Sequence, residues 1–111
     1  MIEKYNLDEM IKGWFIGDFE PSLYKTNEFE VGVKQYKAGD REESHYHKIA
    51  VEFTVILLGE VKMSGVFYKQ GDIIKIKPGT STDFEAITDV TTVVVKIPGA
   101  KNDKYINQNI E

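Results

Sequence analysis

The sequence predicts an all-β domain, a sandwich or barrel of short strands, with one short helix ahead of it. Three observations carry this. Turn signals recur about every 8–12 residues from Phe29 onward, the spacing of such folds. Phe29, Val31 and Val33 alternate with Glu30, Gly32 and Lys34, the period of two of a half-buried strand. Helical periodicity is absent after Gly13.

In chain order, residues 6–11 read as the helix. Asn6 can cap it, Glu9 stands three residues on as in a capping box, and Gly13 ends it. Residues 14–19 are apolar and aromatic and form a strand or an arm, broken by Pro21 and Ser22. The alternating strand from Phe29 ends at the turn Ala38-Gly39-Asp40. Residues 43–48 are polar but extended in character, and residues 52–58 are rich in β-formers. Strands at 61–63 and 66–68 flank Ser64-Gly65, a two-residue hairpin turn. Further strands at 73–76, 82–86 and 91–97 are separated by Pro78-Gly79 and a polar turn, and the polar tail from Lys101 is expected to fray. The division expected is an N-terminal helix and arm at 1–28, a β-domain at 29–98 and a polar C-terminal tail at 99–111.

Composition narrows the partners. Fourteen basic residues against eighteen acidic ones give a formal charge of −4, which argues against a nucleic-acid binder. Arg41 is the single arginine, so bidentate phosphate clamps are scarce. There is no cysteine, which excludes disulfides and thiolate metal sites and fits a reducing cytoplasm. Residues 1–6 lack a signal-peptide pattern, and the longest apolar run, 55–58, is far too short to span a bilayer. A cytoplasmic protein without membrane or nucleic-acid partners is expected. Residues 52–58 carry apolar groups on both faces, with Phe53, Val55 and Leu57 on one and Ile56 and Leu58 on the other. Something must cover the second face: the 14–19 arm, another sheet, or the partner in a homodimer, which is the expected state.

His45 and His47 are the only histidines. Two apart on a strand, their imidazoles share a face and can converge on one metal or one ligand. Glu52 can return on the neighbouring strand. Two imidazoles and a carboxylate form a facial triad suited to Fe, and also to Mn, Ni, Zn or Co. Gln35 shares parity with Val31 and Val33, so it is a candidate inward substrate contact. Arg41, Glu42 and Glu43 read as a solvated loop, and Trp14 and Phe15 as core or interface.

The spacing here resembles the first motif of the cupins. Gly39, five residues, His45-Tyr46-His47, four residues, Glu52, six residues and Gly59 match it at every fixed position. The resemblance covers residues 29–97 and implies a double-stranded β-helix, the RmlC-like jelly-roll barrel of a small single-domain cupin. It also implies that His45, His47 and Glu52 ligate a divalent transition metal. The second cupin motif is partly kept. From Gly71 the proline falls one place late at Pro78, Gly79 is retained, and Thr82 stands where a fourth ligand, histidine, belongs. Thr82 could place a hydroxyl or a water at that corner, which makes it a candidate substrate contact. Asp83 and Glu85 have the wrong parity to replace it.

The function expected is a metal-binding cupin acting on a small polar or sugar-like substrate. Two alternatives stay open. One is a metal-free cupin like the sugar-nucleotide epimerases and ketoisomerases, in which His45 or His47 would be a general base; His45-Tyr46-His47-Lys48 resembles a stretch of such ketoisomerases. A non-catalytic module that binds a small-molecule ligand is the other.

Overall fold

The computed structural model describes residues 1–106. Ten strands follow a single 3-10 turn: β1 (Trp14–Ile16), β2 (Glu30–Tyr36), β3 (Arg41–His47), β4 (Val51–Leu58), β5 (Glu60–Met63), β6 (Val66–Lys69), β7 (Ile73–Ile76), β8 (Thr82–Ala86), β9 (Val90–Ile97) and β10 (Lys104–Ile106). They form two five-stranded antiparallel sheets, ordered β1-β2-β9-β4-β7 and β10-β3-β8-β5-β6. Neither sheet closes on itself, so the expected barrel is a two-layer jelly roll.

The helix expected at 6–11 is shorter than the sequence suggested, spanning Leu7–Glu9. The Asn6 side chain accepts from the Asp8 amide at 2.8 Å, as a cap should. Met10 is already extended, so the turn stops well before Gly13. The predicted hairpin at Ser64-Gly65 is present. Both residues have positive φ, +49° and +79°, and Met63 pairs with Val66 across them. That is the backbone of a type I′ turn. The tail differs from expectation up to Ile106. Asp103 is buried and Lys104–Ile106 pair with β3; the rest of the tail lies outside the described residues.

The core lies between the sheets at one end. Ile56, Val61, Met63, Phe84, Ala86 and Val90 are buried together, with Tyr36, Tyr68, Ile74 and Ile76 packed against them. Gly59 closes this end. At φ +92°, a side chain there would put its Cβ 2.2 Å from the Asp89 carbonyl oxygen, so only glycine fits. Along the same strands, away from this core, the inward positions turn polar.

The outer face of the β1-containing sheet carries Val33, Phe53, Val55, Val93 and Val95, all half-buried, and Leu57 and Ile73, which are exposed. The apolar second face of residues 52–58 thus has two answers. Ile56 is covered by the other sheet, while Phe53, Val55 and Leu57 look outward. The 14–19 arm does not lie over them; it adds β1 at the sheet edge beside β2.

Candidate functional site

β3 supplies both histidines. His45 pairs with Thr82 of β8 and His47 with Lys104 of β10. Their rings stand edge to face, 5.5 Å between centroids. Each Nδ1 lies 3.0 Å from a backbone carbonyl, that of Glu43 for His45 and that of Asp103 for His47. A carbonyl oxygen can only accept, so each Nδ1 carries the proton of the neutral ring and each Nε2 is left with its lone pair. His47 is 6% exposed, and its Nε2 is buried without a hydrogen-bond partner. The nearest charged atom to it is Glu52 Oε1 at 3.4 Å, inside ion-pair range but not a formed hydrogen bond. Two lone pairs facing each other at that distance repel unless a proton or a cation lies between them.

Glu52 comes from β4, where it pairs with Lys96 of β9 and Ile76 of β7. The Thr54 hydroxyl donates to Glu52 Oε2 at 3.1 Å. Burial works against charge on Glu52, but His47, Lys96 and Thr54 together outweigh it and hold the carboxyl below its ordinary range. The anionic form is therefore the one present at neutral pH.

His45, Glu52 and Thr82 line a pocket of about 240 Å³ that also receives Tyr36, Glu42 and Trp14. Drug-sized ligands fill roughly 300–1,000 Å³, so this space suits a small metabolite. The Tyr36 hydroxyl donates to Glu42 Oε1 at 2.9 Å, and its ring packs 4.5 Å from that of Phe84. Burial and the neighbouring Glu42 push the Tyr36 phenol well above its ordinary value, so it stays a proton donor across the physiological range. Four lysines, Lys12, Lys34, Lys96 and Lys104, also line the pocket.

The histidine loop is held from the C-terminal side. The buried Asp103 carboxylate accepts from the amides of Lys48, Ile49 and Ala50 at 3.0–3.2 Å, while its carbonyl receives His47 Nδ1. Burial opposes its charge, but these three amides prevail and keep its carboxyl low. From the other side the Gly79 amide donates to the His47 carbonyl at 2.6 Å. The retained glycine of the second motif thus fixes the backbone of the first.

Of the residues picked from sequence, His45, His47, Glu52 and Thr82 lie around one end of the interior. The Thr82 hydroxyl is engaged, donating to the Asp83 carbonyl at 2.8 Å and receiving Ser64 Oγ at 3.0 Å. Gln35 is not in this group. It is exposed, and the pocket is lined instead by its neighbours Lys34 and Tyr36. Parity was counted from Val31 and Val33, whose apolar side chains belong to the outer face. Glu42 is half-buried in the pocket rather than in a solvated loop, because β3 carries a bulge. Three residue steps from Glu42 to His45 face two from Phe84 to Thr82, so an even position and two odd ones all point inward. Lys34 and Tyr36 have the opposite parity to Gln35 and so face the pocket, and Trp14, expected as core or interface, lines it together with Lys96. Among the described residues, no three His, Cys, Asp or Glu side chains are drawn together tightly enough to enclose an ion as they stand.

No protein-family profile matches the chain. No curated protein matches it either. Solved structures do. An uncharacterized conserved protein with a double-stranded β-helix domain from Klebsiella pneumoniae is 21% identical with a TM-score of 0.72, covering 98% of this chain and all of that one. The DMSP lyase DddQ from Ruegeria pomeroyi is 19% identical with a TM-score of 0.67, over 80% of this chain and 48% of that one. Oxalate decarboxylase from Bacillus subtilis is 17% identical with a TM-score of 0.62, over 72% of this chain and 24% of that one. The chain thus spans less than half of either enzyme. It has the cupin fold, the double-stranded β-helix that the sequence motif implied.

Proposed function

We propose that the polar end of the interior is a divalent-metal site that acts on a small polar or sugar-like molecule. His45, His47 and Glu52 would hold the ion, one of Fe, Mn, Ni, Zn or Co. The observation that carries this is the buried, unpartnered Nε2 of His47 facing a Glu52 oxygen at 3.4 Å. Both imidazoles have the tautomer a ligand needs, with Nδ1 tied to a carbonyl. A divalent ion bound there supplies Lewis-acid polarisation of a substrate oxygen. The chain's own groups do the rest. Tyr36, kept protonated with its O–H turned to Glu42, presents a polar hydroxyl oxygen to the pocket, and Thr82 stands beside His45 with its hydroxyl held by Asp83 and Ser64. Fold neighbours named as a lyase and a decarboxylase support an enzymatic reading.

The test is elemental analysis of protein purified without chelators, alongside His45→Ala. Stoichiometric metal is expected in the wild type and a loss in the variant. If the protein carries no metal and takes up none of Mn, Fe, Ni, Co or Zn, the metal site is refuted. A second reading then stands on the absence of a ready three-ligand cluster. His47 and Glu52 would share one proton and His47 would act as a metal-free base. A binder without turnover is the remaining outcome.

The half-buried apolar face formed by Val33, Phe53, Val55, Val93 and Val95 supports a homodimer through that sheet. Sedimentation of a monomer at micromolar concentration would refute it. Among the described residues no helix is long and apolar enough to cross a membrane. A cytoplasmic location is proposed from the absence of cysteine.

A further inference from the structure

Four of the lysines of a chain with net charge −4 line the one pocket that holds His45 and Glu52. Among the described residues none of these four is ion-paired within 4.0 Å; the pairs formed are Lys25–Glu20, Arg41–Glu85, His47–Glu52 and Lys101–Asp18. Glu42, Glu52 and Asp83 line the same pocket but form no ion pair with these lysines; they are hydrogen-bonded instead to the Tyr36 hydroxyl, the Thr54 hydroxyl and the Ser64 amide.

Two of the lysines are positioned by a built platform. Trp14 pairs with Gly32, and a Cβ on Gly32 would lie 2.7 Å from the indole, so the missing side chain lets the ring lie close against the strand. Gly32 pairs in turn with Val94 of β9. Lys34 and Lys96, each two residues along its strand from this pair and in opposite senses, place their ammonium groups 5.4 and 4.9 Å from the Trp14 ring centre. The indole therefore draws two like charges to one ring. Burial lowers the Lys34 ammonium from its ordinary value, and repulsion from Lys12, Lys96 and Lys104 adds to this against the pull of Glu42. Cations gathered and partly desolvated without a contact ion pair are a cost that bound anionic oxygens would lower.

We propose that Lys34 and Lys96, carried on Trp14, form an oxyanion subsite, so that the molecule taken into this pocket bears a carboxylate or a phosphate. The inference rests on the pocket being a small-molecule site, but not on metal. The anionic group would sit at the Trp14 side while the rest of the molecule reaches toward Glu52 and His45.

Trp14 is the only tryptophan, so its fluorescence reports on the subsite directly. Metal-free protein, desalted from any chelator, is titrated with malonate and separately with inorganic phosphate, at ionic strength held constant with chloride. A saturable change with malonate alone assigns a carboxylate ligand, with phosphate alone a phosphate, and with both their shared oxyanion chemistry. Lys34→Met and Lys96→Met are each expected to weaken that binding roughly tenfold or more, and Lys34→Arg to retain it. Lys96→Met is read on its own if Lys34→Met does not fold. No saturation beyond the chloride control, or wild-type affinity in the methionine variants, overturns the subsite. Metal uptake, measured separately on the wild type, distinguishes the two proposals: its failure touches only the metal reading, because the anion titration is made on metal-free protein.

Discussion

The two ends of the interior are built from the same strands and have opposite chemistry. On β4 the inward positions run from Glu52 through Thr54 to Ile56, and on β9 from Lys96 through Val94 and Thr92 to Val90. At one end Ile56 and Val61 are fully buried among apolar neighbours. At the other, carboxylates, the His45 imidazole and several lysines share a small pocket, with His47 buried beside Glu52. Burying apolar area drives folding and is tolerant of detail, whereas a cluster of unpaired charge opposes it and persists for what it binds. The division of labour is therefore between an end that holds the sheets together and an end that spends some of that stability.

Three measurements break or sharpen the contrast. The largest effect belongs to the apolar end. Ile56→Ala removes a fully buried side chain and is expected to cost about 2–5 kcal/mol in denaturant unfolding. A loss well under 1 kcal/mol would mean that this end is not the core. Next comes the hinge between the ends. Asp103→Asn replaces an acceptor of three amides by a group that is half donor, and is expected to cost about 1–3 kcal/mol. The carboxyls of Asp103 and Glu52 are both depressed in the folded chain, so the folded state binds their protons less readily than the unfolded one. Their contribution is full above the unfolded value of about 4 and is lost as pH falls through the lower folded values. Acid titration of stability should therefore be shallower in Asp103→Asn than in the wild type. The smallest effect on stability is at the polar end. Glu52→Gln gives up the attraction of the carboxylate to Lys96 but offers an N–H to the orphaned His47 Nε2, so the two oppose and stability at neutral pH should change by no more than about 1 kcal/mol, while metal uptake is lost. Marked destabilisation would show that the His47–Glu52 pair is structural.

The same contrast explains what was legible in the sequence. β7 and β8 have the bounds read from their turns, and β4, β5, β6 and β9 lie within a residue of them, because glycine, proline and β-formers act locally. His45, His47 and Glu52 were visible because a spacing motif does not depend on which face is apolar. Lys34, Tyr36 and Lys96 were not, because alternation was taken to mean apolar side chains inward. In β2 the valines face out and the lysine and tyrosine face in, so Gln35 was chosen where Lys34 and Tyr36 belong. Glu42 was hidden by the bulge, since a change of parity within a strand leaves no mark in the polar run Arg41-Glu42-Glu43-Ser44. Asp103 was hidden by distance, for nothing in a polar tail signals that one of its carboxylates will seal a loop more than fifty residues earlier.

The bulge in β3 also bears on how such a pocket can vary. A strand in strict alternation would have to choose between presenting Glu42 and presenting the two histidines. The extra residue lets it present all three, and so places Glu42, hydrogen-bonded to Tyr36 of β2, and an imidazole pair on a single stretch of backbone. Excising one codon between Glu42 and His45 would restore the simple zigzag and turn one of these groups out to water without touching its chemistry. The pocket's repertoire is thus set partly by chain phase, and a lineage could gain or shed half of it by an insertion or deletion.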